Sequence, residues 1–180
     1  LVGRNGCGKS SLLELLYSCA AESGEPDQGK VMSADGLAIV NFVQDRSSIN
    51  KEATLRRALA PEGDSVIFRD RSLHVVSWAK RFLFRPDQLD TPVGSLSGGE
   101  QARILIADLM RQPADILLLD EPTNDLDIES LDVLEESLLE FGGAVILVTH
   151  DRYLLDLVVD EIVELEDGQL ARYPGTYSEY

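Results

Sequence analysis

Apolar positions along the chain change period several times, and each change predicts an element. Within Lys9–Ala20, Leu12, Leu13, Leu15 and Leu16 recur as one helical face, and the turn-rich residues 22–30 that follow predict a loop. Residues 37–43 are a short apolar run, predicting a strand with Gln44 at its exit, and residues 52–59 predict a short helix closed by Pro61. Residues 72–84 have the spacing of an amphipathic helix stopped by Arg85-Pro86, and Gly98–Arg111 that of another, stopped by Gln112-Pro113. Residues 115–119 and Ala144–Val148 are short and nearly all apolar, the pattern of strands buried on both faces, with a helix over 130–140 between them. That is the βαβ unit of a parallel sheet, so the chain is expected to be α/β, with helices on both faces of the sheet. Residues 45–112 are expected to form a helical subdomain between core stretches 1–44 and 113–180. The polar, aromatic-dotted residues 170–180, with Pro174-Gly175, predict a turn or the start of a linker.

Charge narrows the choice of partners. The chain has 180 residues, with 16 Lys and Arg against 32 Asp and Glu, a net charge of −16, and an apolar share of 44%. So acidic a chain is poorly suited to a broad grip on nucleic-acid phosphates, which depends on Lys and Arg releasing counterions. Contact with RNA or DNA is therefore expected to fall mainly to other segments. No run is long and apolar enough for a membrane span and no leader pattern is legible, which predicts a cytoplasmic protein. Cys7 and Cys19 have neither the number for a disulfide framework nor zinc-type spacing. The chain opens on Leu1 rather than Met and reaches a glycine loop at once, so it is expected to be part of a longer protein, with only Leu1 and Val2 left of the strand that feeds the loop.

That loop carries the most specific chemistry. Gly3, Arg4, Asn5, Gly6, Cys7, Gly8, Lys9 and Ser10 fit G-x-x-x-x-G-K-[ST], and Ser11 continues into the helix. Glycines let backbone N–H groups turn inward around phosphates, Lys9 reaches the β and γ oxygens, and Ser10 is placed to ligate Mg²⁺. Cys7 fills a variable position, either as a small packing residue or as a thiol activated by the helix N-terminus and Lys9.

A second element follows the buried run 116–119, where Asp120 and Glu121 emerge together at a strand's C-terminal end, the usual ligand edge of an open α/β sheet. Asp120 suits a magnesium ligand and Glu121 a base that orients attacking water. His150 follows the other buried strand, and so is expected at the same edge as a γ-phosphate contact. Gln44, at the exit of the 37–43 run, makes a weaker form of that argument. Ser97, Gly98, Gly99 and Glu100 have the S-x-x-E spacing of a capping box, with two glycines leaving N–H groups open to an anion.

Leu96-Ser97-Gly98-Gly99-Glu100, in order with residues 3–10, Gln44, Asp120-Glu121 and His150, resembles the motif set of ATP-binding-cassette ATPases over nearly the whole chain. The resemblance implies a P-loop NTPase-type sheet core with a helical signature subdomain, and an antiparallel β subdomain with a base-stacking aromatic ahead of the loop, neither in this sequence. It implies ATP and Mg²⁺, with Ser10, Gln44 and Asp120 around the metal and Glu121, His150 and Gln44 around the γ-phosphate. Two cassettes would stack head to tail, so that Ser97 to Glu100 serve a nucleotide held by the partner, with Asn124-Asp125-Leu126-Asp127 crossing between them. The run Asp120 to Asp127, with Arg172-Tyr173-Pro174-Gly175-Thr176-Tyr177, resembles the ABC-F branch, and more narrowly the second cassette of its Uup-type members. The branch carries two cassettes on one chain without a membrane domain, and implies action on the ribosome, translation or nucleic acid through other segments. The motor subunit of a membrane transporter shares every phosphate-site residue and is the alternative. One departure stands out: the resemblance implies a basic or polar start to the helix after Glu100, and an Arg or Leu where this chain has Asp108.

Overall fold

The structure is a computed structural model and describes residues 1–21, 24–42 and 48–180. In chain order its elements are α1 (Lys9–Ala20), β1 (Ile39–Phe42), α2 (Leu55–Leu59), β2 (Ser65–Phe68), β3 (Arg71–His74), α3 (Val75–Arg81), α4 (Gly98–Arg111), β4 (Ile116–Asp120), α5 (Ile128–Glu140), β5 (Ala144–Val148), α6 (Arg152–Val158), β6 (Glu161–Glu166) and β7 (Gln169–Pro174). Short 3₁₀ turns cover Pro86–Gln88, Val93–Ser95 and Tyr177–Glu179. Two compact units result, one of Leu1–Val43, Ala114–Asn124 and Leu138–Tyr180, the other of Gln44–Pro113 and Asp125–Ser137.

In the first unit β4 is the middle strand of a parallel sheet ordered β1-β4-β5. Its position explains its sequence: a strand covered on both faces has no polar side, and Leu117, Leu118 and Leu119 are fully buried. α1 lays Leu13 against Leu118 and Val148, with Leu1, Ile39, Ile116 and Ile146 packed around them. Each such leucine contributes about 1.5–3 kcal/mol of burial free energy. The register sets Asp120 opposite Val148, so both strands release their chains at one edge. Val2 makes a parallel bridge to Glu164 of β6, its N–H donating to Val163 O at 2.8 Å and its carbonyl accepting from Leu165 N at 2.9 Å. The entry to the glycine loop is thus anchored from both sides of Val2.

Residues 169–180 depart from the expected turn or linker. β7 pairs antiparallel with β6 through the two-residue turn Asp167-Gly168, with φ of 48° and 74°, and Tyr177–Glu179 closes the end. Such a turn matches the twist of a hairpin when both central residues have positive φ. Because every residue of β7 is exposed, it lacks the apolar alternation that predicts strands.

The second unit packs around Trp78, Phe82, Phe84, Leu55, Leu59, Leu89 and Ile106, all at most 2% exposed. The Trp78 ring meets Phe82 edge-on at 4.8 Å and Phe68 at 5.1 Å, offsets aromatic quadrupoles favour. The helix expected over 72–84 is shorter: residues 71–74 pair with 65–68 as a hairpin, and α3 starts only at Val75, capped by the His74 side chain. Residues 45–112, expected to form a helical subdomain, therefore also hold two strands. Among the described residues, no helix is long and apolar enough to cross a membrane.

Candidate functional site

Glycine chemistry builds the loop at the head of α1. Gly3, Gly6 and Gly8 take φ of 147°, 80° and 106°, and a Cβ on Gly3 would run into the Leu165 carbonyl and lie 2.9 Å from the Cys7 sulfur. The loop turns through Cys7 N–H donating to Arg4 O at 3.2 Å, and Cys7 is half-buried beneath it. Gly8 caps α1 without a side chain and the first turn has no acidic residue, so nothing in the sequence competes for the N–H groups there. Helix dipole and open donors together favour an anion. Lys9 is 9% exposed, and its Nζ donates to Gly3 O at 2.9 Å and Arg4 O at 3.1 Å, which leaves one proton of the ammonium to point elsewhere. Arg4, Asn5, Gly6, Ser10 and Ser11 are exposed.

The sheet edge supplies the opposing wall. Asp120 ends β4 half-buried, and the chain then turns so sharply that Glu121 takes φ 47°, its N–H donating to Val148 O at 2.7 Å. A non-glycine residue in this region is a local strain that a strong surrounding hydrogen bond holds in place. The Glu121 carboxylate faces His150, with Oε1 3.4 Å from Nε2 and Oε2 accepting a long bond from the His150 N–H, also at 3.4 Å. The imidazole Nε2 lies 3.1 Å from Asn5 Oδ1, so it joins the glycine loop to the acidic edge. Behind it Thr149 is buried, 3.4 Å from the Thr123 hydroxyl, and its own hydroxyl accepts from the Asp151 N–H at 3.1 Å. A cleft of about 310 Å³ is bounded by Asn5, Gly6, Lys9, Ser10, Asp120, Glu121 and His150. That volume is at the lower end for small-molecule sites.

Sequence spacing thus brought the loop, Asp120, Glu121 and His150 to one cleft, while Gln44 lies outside the described residues. The Asn5–His150 contact was not legible, because it spans 145 residues and depends on where two loops end.

The signature belongs to the second unit. Ser97 caps α4 with a complete capping box: its hydroxyl accepts from Glu100 N–H at 3.2 Å, while Glu100 Oε2 accepts from Ser97 N–H at 2.8 Å. Gln88, which no sequence signal marked, donates to the other Glu100 oxygen at 2.8 Å. Burial pushes the Glu100 pKa up, but hydrogen bonds from Ser97 and Gln88 and the Arg103 charge outweigh it and hold the carboxyl below its usual value. Gly98 and Gly99 form the first turn of α4, and a Cβ on Gly99 would strike the Asp127 carboxylate, which would have to move. Asp127 in turn accepts from Ser130 N–H at 2.8 Å, and the Ser130 hydroxyl donates to Gly99 O at 3.2 Å. Arg103 is buried, ion-paired to Glu129 at 3.1 Å and stacked over Phe84 at 5.4 Å. Asp108 binds Arg111 and accepts from Gln112 Nε2 at 3.1 Å, closing the C-terminal end of α4. An acidic residue at that position thus has a local structural role.

Residues 1–124 match the family described as "ABC transporter". The chain is 39% identical over 178 residues to the ATP-binding protein Uup of Escherichia coli (strain K12), covering 98% of this chain and 27% of that protein. It is 34% identical over 181 residues to the energy-dependent translational throttle protein EttA of Haemophilus influenzae, covering 100% and 32%. A solved dimeric, post-hydrolysis ATP-binding cassette with ADP and Pi shares the fold at TM-score 0.64 and 22% identity, over 96% of this chain and 82% of that one. The chain spans about a third or less of the length of these curated relatives. With its glycine loop, its Asp120-Glu121 edge and its capped signature helix, this chain is an ATP-binding cassette and belongs to the ABC transporter family, with relatives among the Uup-type proteins of the ABC-F branch.

Proposed function

We propose that this cassette binds and hydrolyses Mg-ATP, and that the protein uses closure of two cassettes on ATP to act on the ribosome. The observation that carries the hydrolytic reading is the Glu121–His150–Asn5 contact across the same cleft as Lys9 and the open N–H groups of α1. The loop amides and the free proton of Lys9 hold the β- and γ-phosphates. Glu121 accepts the proton of the attacking water, and its held backbone keeps the carboxylate aimed at the cleft. His150, tied to both Glu121 and Asn5, keeps loop and edge in register and senses the γ-phosphate.

Magnesium fits the donor set. Among the described residues no group of three or more His, Cys, Asp or Glu could hold a metal alone. Ser10 and Asp120 are hard oxygen donors that would take two positions, with Gln44 the candidate third, and water and phosphate oxygens complete an octahedron. The bound ion would neutralise phosphate charge as the terminal bond breaks.

Ser97 to Glu100 serve a nucleotide bound mainly by a second cassette, which makes closure ATP-dependent and opening hydrolysis-dependent, a two-state device of the kind that converts binding into motion. The name of the throttle protein places that relative in translation, and its likeness over the whole chain supports the ribosome as target. Glu121→Gln is the test. Removing a general base is expected to slow hydrolysis about 10²–10⁴-fold with ATP binding kept, and the full-length variant should sediment with ribosomes only when ATP is present. A parental rate in Glu121→Gln would refute the role of Glu121. ATP-bound protein that ignores ribosomes but co-purifies with a membrane permease would give the transporter reading instead.

A further inference from the structure

The acidity of this chain is uneven. Residues 65–85, which run through β2, β3 and α3, hold five Lys and Arg against one Asp, leaving eleven against thirty-one for the rest. The hairpin gathers these cations. Arg69 and Arg81 place their guanidinium carbons 5.2 Å and 4.9 Å from the centroid of one ring, that of Phe68. Arg71 is the register partner of Phe68, and cross-strand partners in an antiparallel pair share a face. Lys80 is exposed and next to Arg81 on α3. Like charges brought together repel, and among the described residues no carboxylate forms an ion pair with Arg69, Arg71 or Lys80. Arg69 also sits in the turn at φ 49°, a conformation that suits glycine or asparagine better than arginine.

We propose that the β2–β3 hairpin and α3 form a docking surface for the phosphate ridge of a folded RNA, with Arg69, Arg71 and Lys80 as its contacts. A guanidinium over an aromatic ring, as Arg69 lies over Phe68, is weakly hydrated and suits phosphate oxygens. The footprint is a small cluster of three cations on a strongly acidic chain. A small cluster suits a ligand that presents a few phosphates at once, as a ridge of folded RNA does. The inference rests on the ribosome reading for its choice of RNA, but on the charge geometry alone for the surface.

The test uses the full-length protein, its Arg69→Glu/Arg71→Glu/Lys80→Glu variant, and two probes, deproteinised ribosomal RNA and duplex DNA of matched length, titrated between 50 and 200 mM KCl. Each lost phosphate contact lowers the slope of log K against log salt by about 0.7–0.9. The variant should therefore show an RNA slope shallower by about 2–3, an RNA affinity at least tenfold weaker at the low-salt end, and an unchanged ATP hydrolysis rate without RNA. Equal RNA affinity and slope in variant and parent would overturn the surface. DNA bound as tightly as RNA and lost equally on substitution would overturn the choice of RNA. Should the triple variant melt early, Lys80→Glu alone carries the test, with a slope change of about 0.7–0.9. A parent protein that hydrolyses no ATP yet binds RNA in this charge-dependent way would sink the catalytic reading and leave this one standing.

Discussion

A methyl group at residue 99 has nowhere to go. The Asp127 carboxylate occupies that space while its other oxygen holds the Ser130 N–H at the start of α5, so Gly99→Ala must swing Asp127 away and give up that cap. Losing such a cap costs about 0.5–2 kcal/mol, which in a domain of this size lowers the melting temperature by about 2–4 °C for each kcal/mol. A calorimetric scan of Gly99→Ala that overlays the parent would show that Asp127 does not hold α5. The glycine was visible in the sequence as part of a signature, but its close contact with Asp127 was not, because Asp127 is 28 residues further on. Arg103 was equally opaque: its burial, its pairing to Glu129 and its place over Phe84 depend on three separate stretches of chain meeting. What could be read residue by residue was chemistry packed into consecutive positions, as in residues 3–10 and Asp120-Glu121.

At the scale of elements, the capping box of α4 is the clearest case of sequence dictating structure. Ser97 and Glu100 satisfy each other's N–H groups as their spacing predicts. Ser97→Ala is expected to cost about 1 kcal/mol. The Glu100 half of the box depends on pH: its folded pKa is held low, so its contribution is complete above the ordinary carboxylate range and disappears as pH falls through the lowered value. Glu100→Gln should therefore be less stable than the parent at pH 7, with the gap closing in acid. A gap that widened on acidification would mean that burial, not the hydrogen bonds, governs this carboxyl. The long helices and buried strands were legible for the same reason, since one strong periodic signal covers each. The two hairpins were not. β2 and β3 have four residues each and run straight into the apolar residues of α3, which lend them a helical look, while β7 has no buried face at all. Asp167-Gly168 was nevertheless a readable hairpin signal, a two-residue turn of the type that right-handed strand twist selects.

For the whole molecule, a net charge of −16 on 180 residues makes self-repulsion a standing cost of the folded state. The ion pairs that oppose it, such as Arg4–Glu166 and Arg56–Asp64, involve exposed groups and are each worth little. Salt screens both, but repulsion among the excess carboxylates acts over longer distances than a contact pair, and the Debye length shortens from about 30 Å at 0.01 M to about 8 Å at 0.15 M. Raising KCl over that range should therefore raise the melting temperature, with chloride chosen because sulfate would stabilise by exclusion from the surface whatever the charge. A falling melting temperature would mean that the local pairs dominate after all. Binding of RNA by the β2–β3 surface must move the other way, weakening as salt displaces the same phosphate contacts. One titration followed by both readouts therefore separates the two electrostatic terms: the acidic body gains from screening, and the basic hairpin loses its partner.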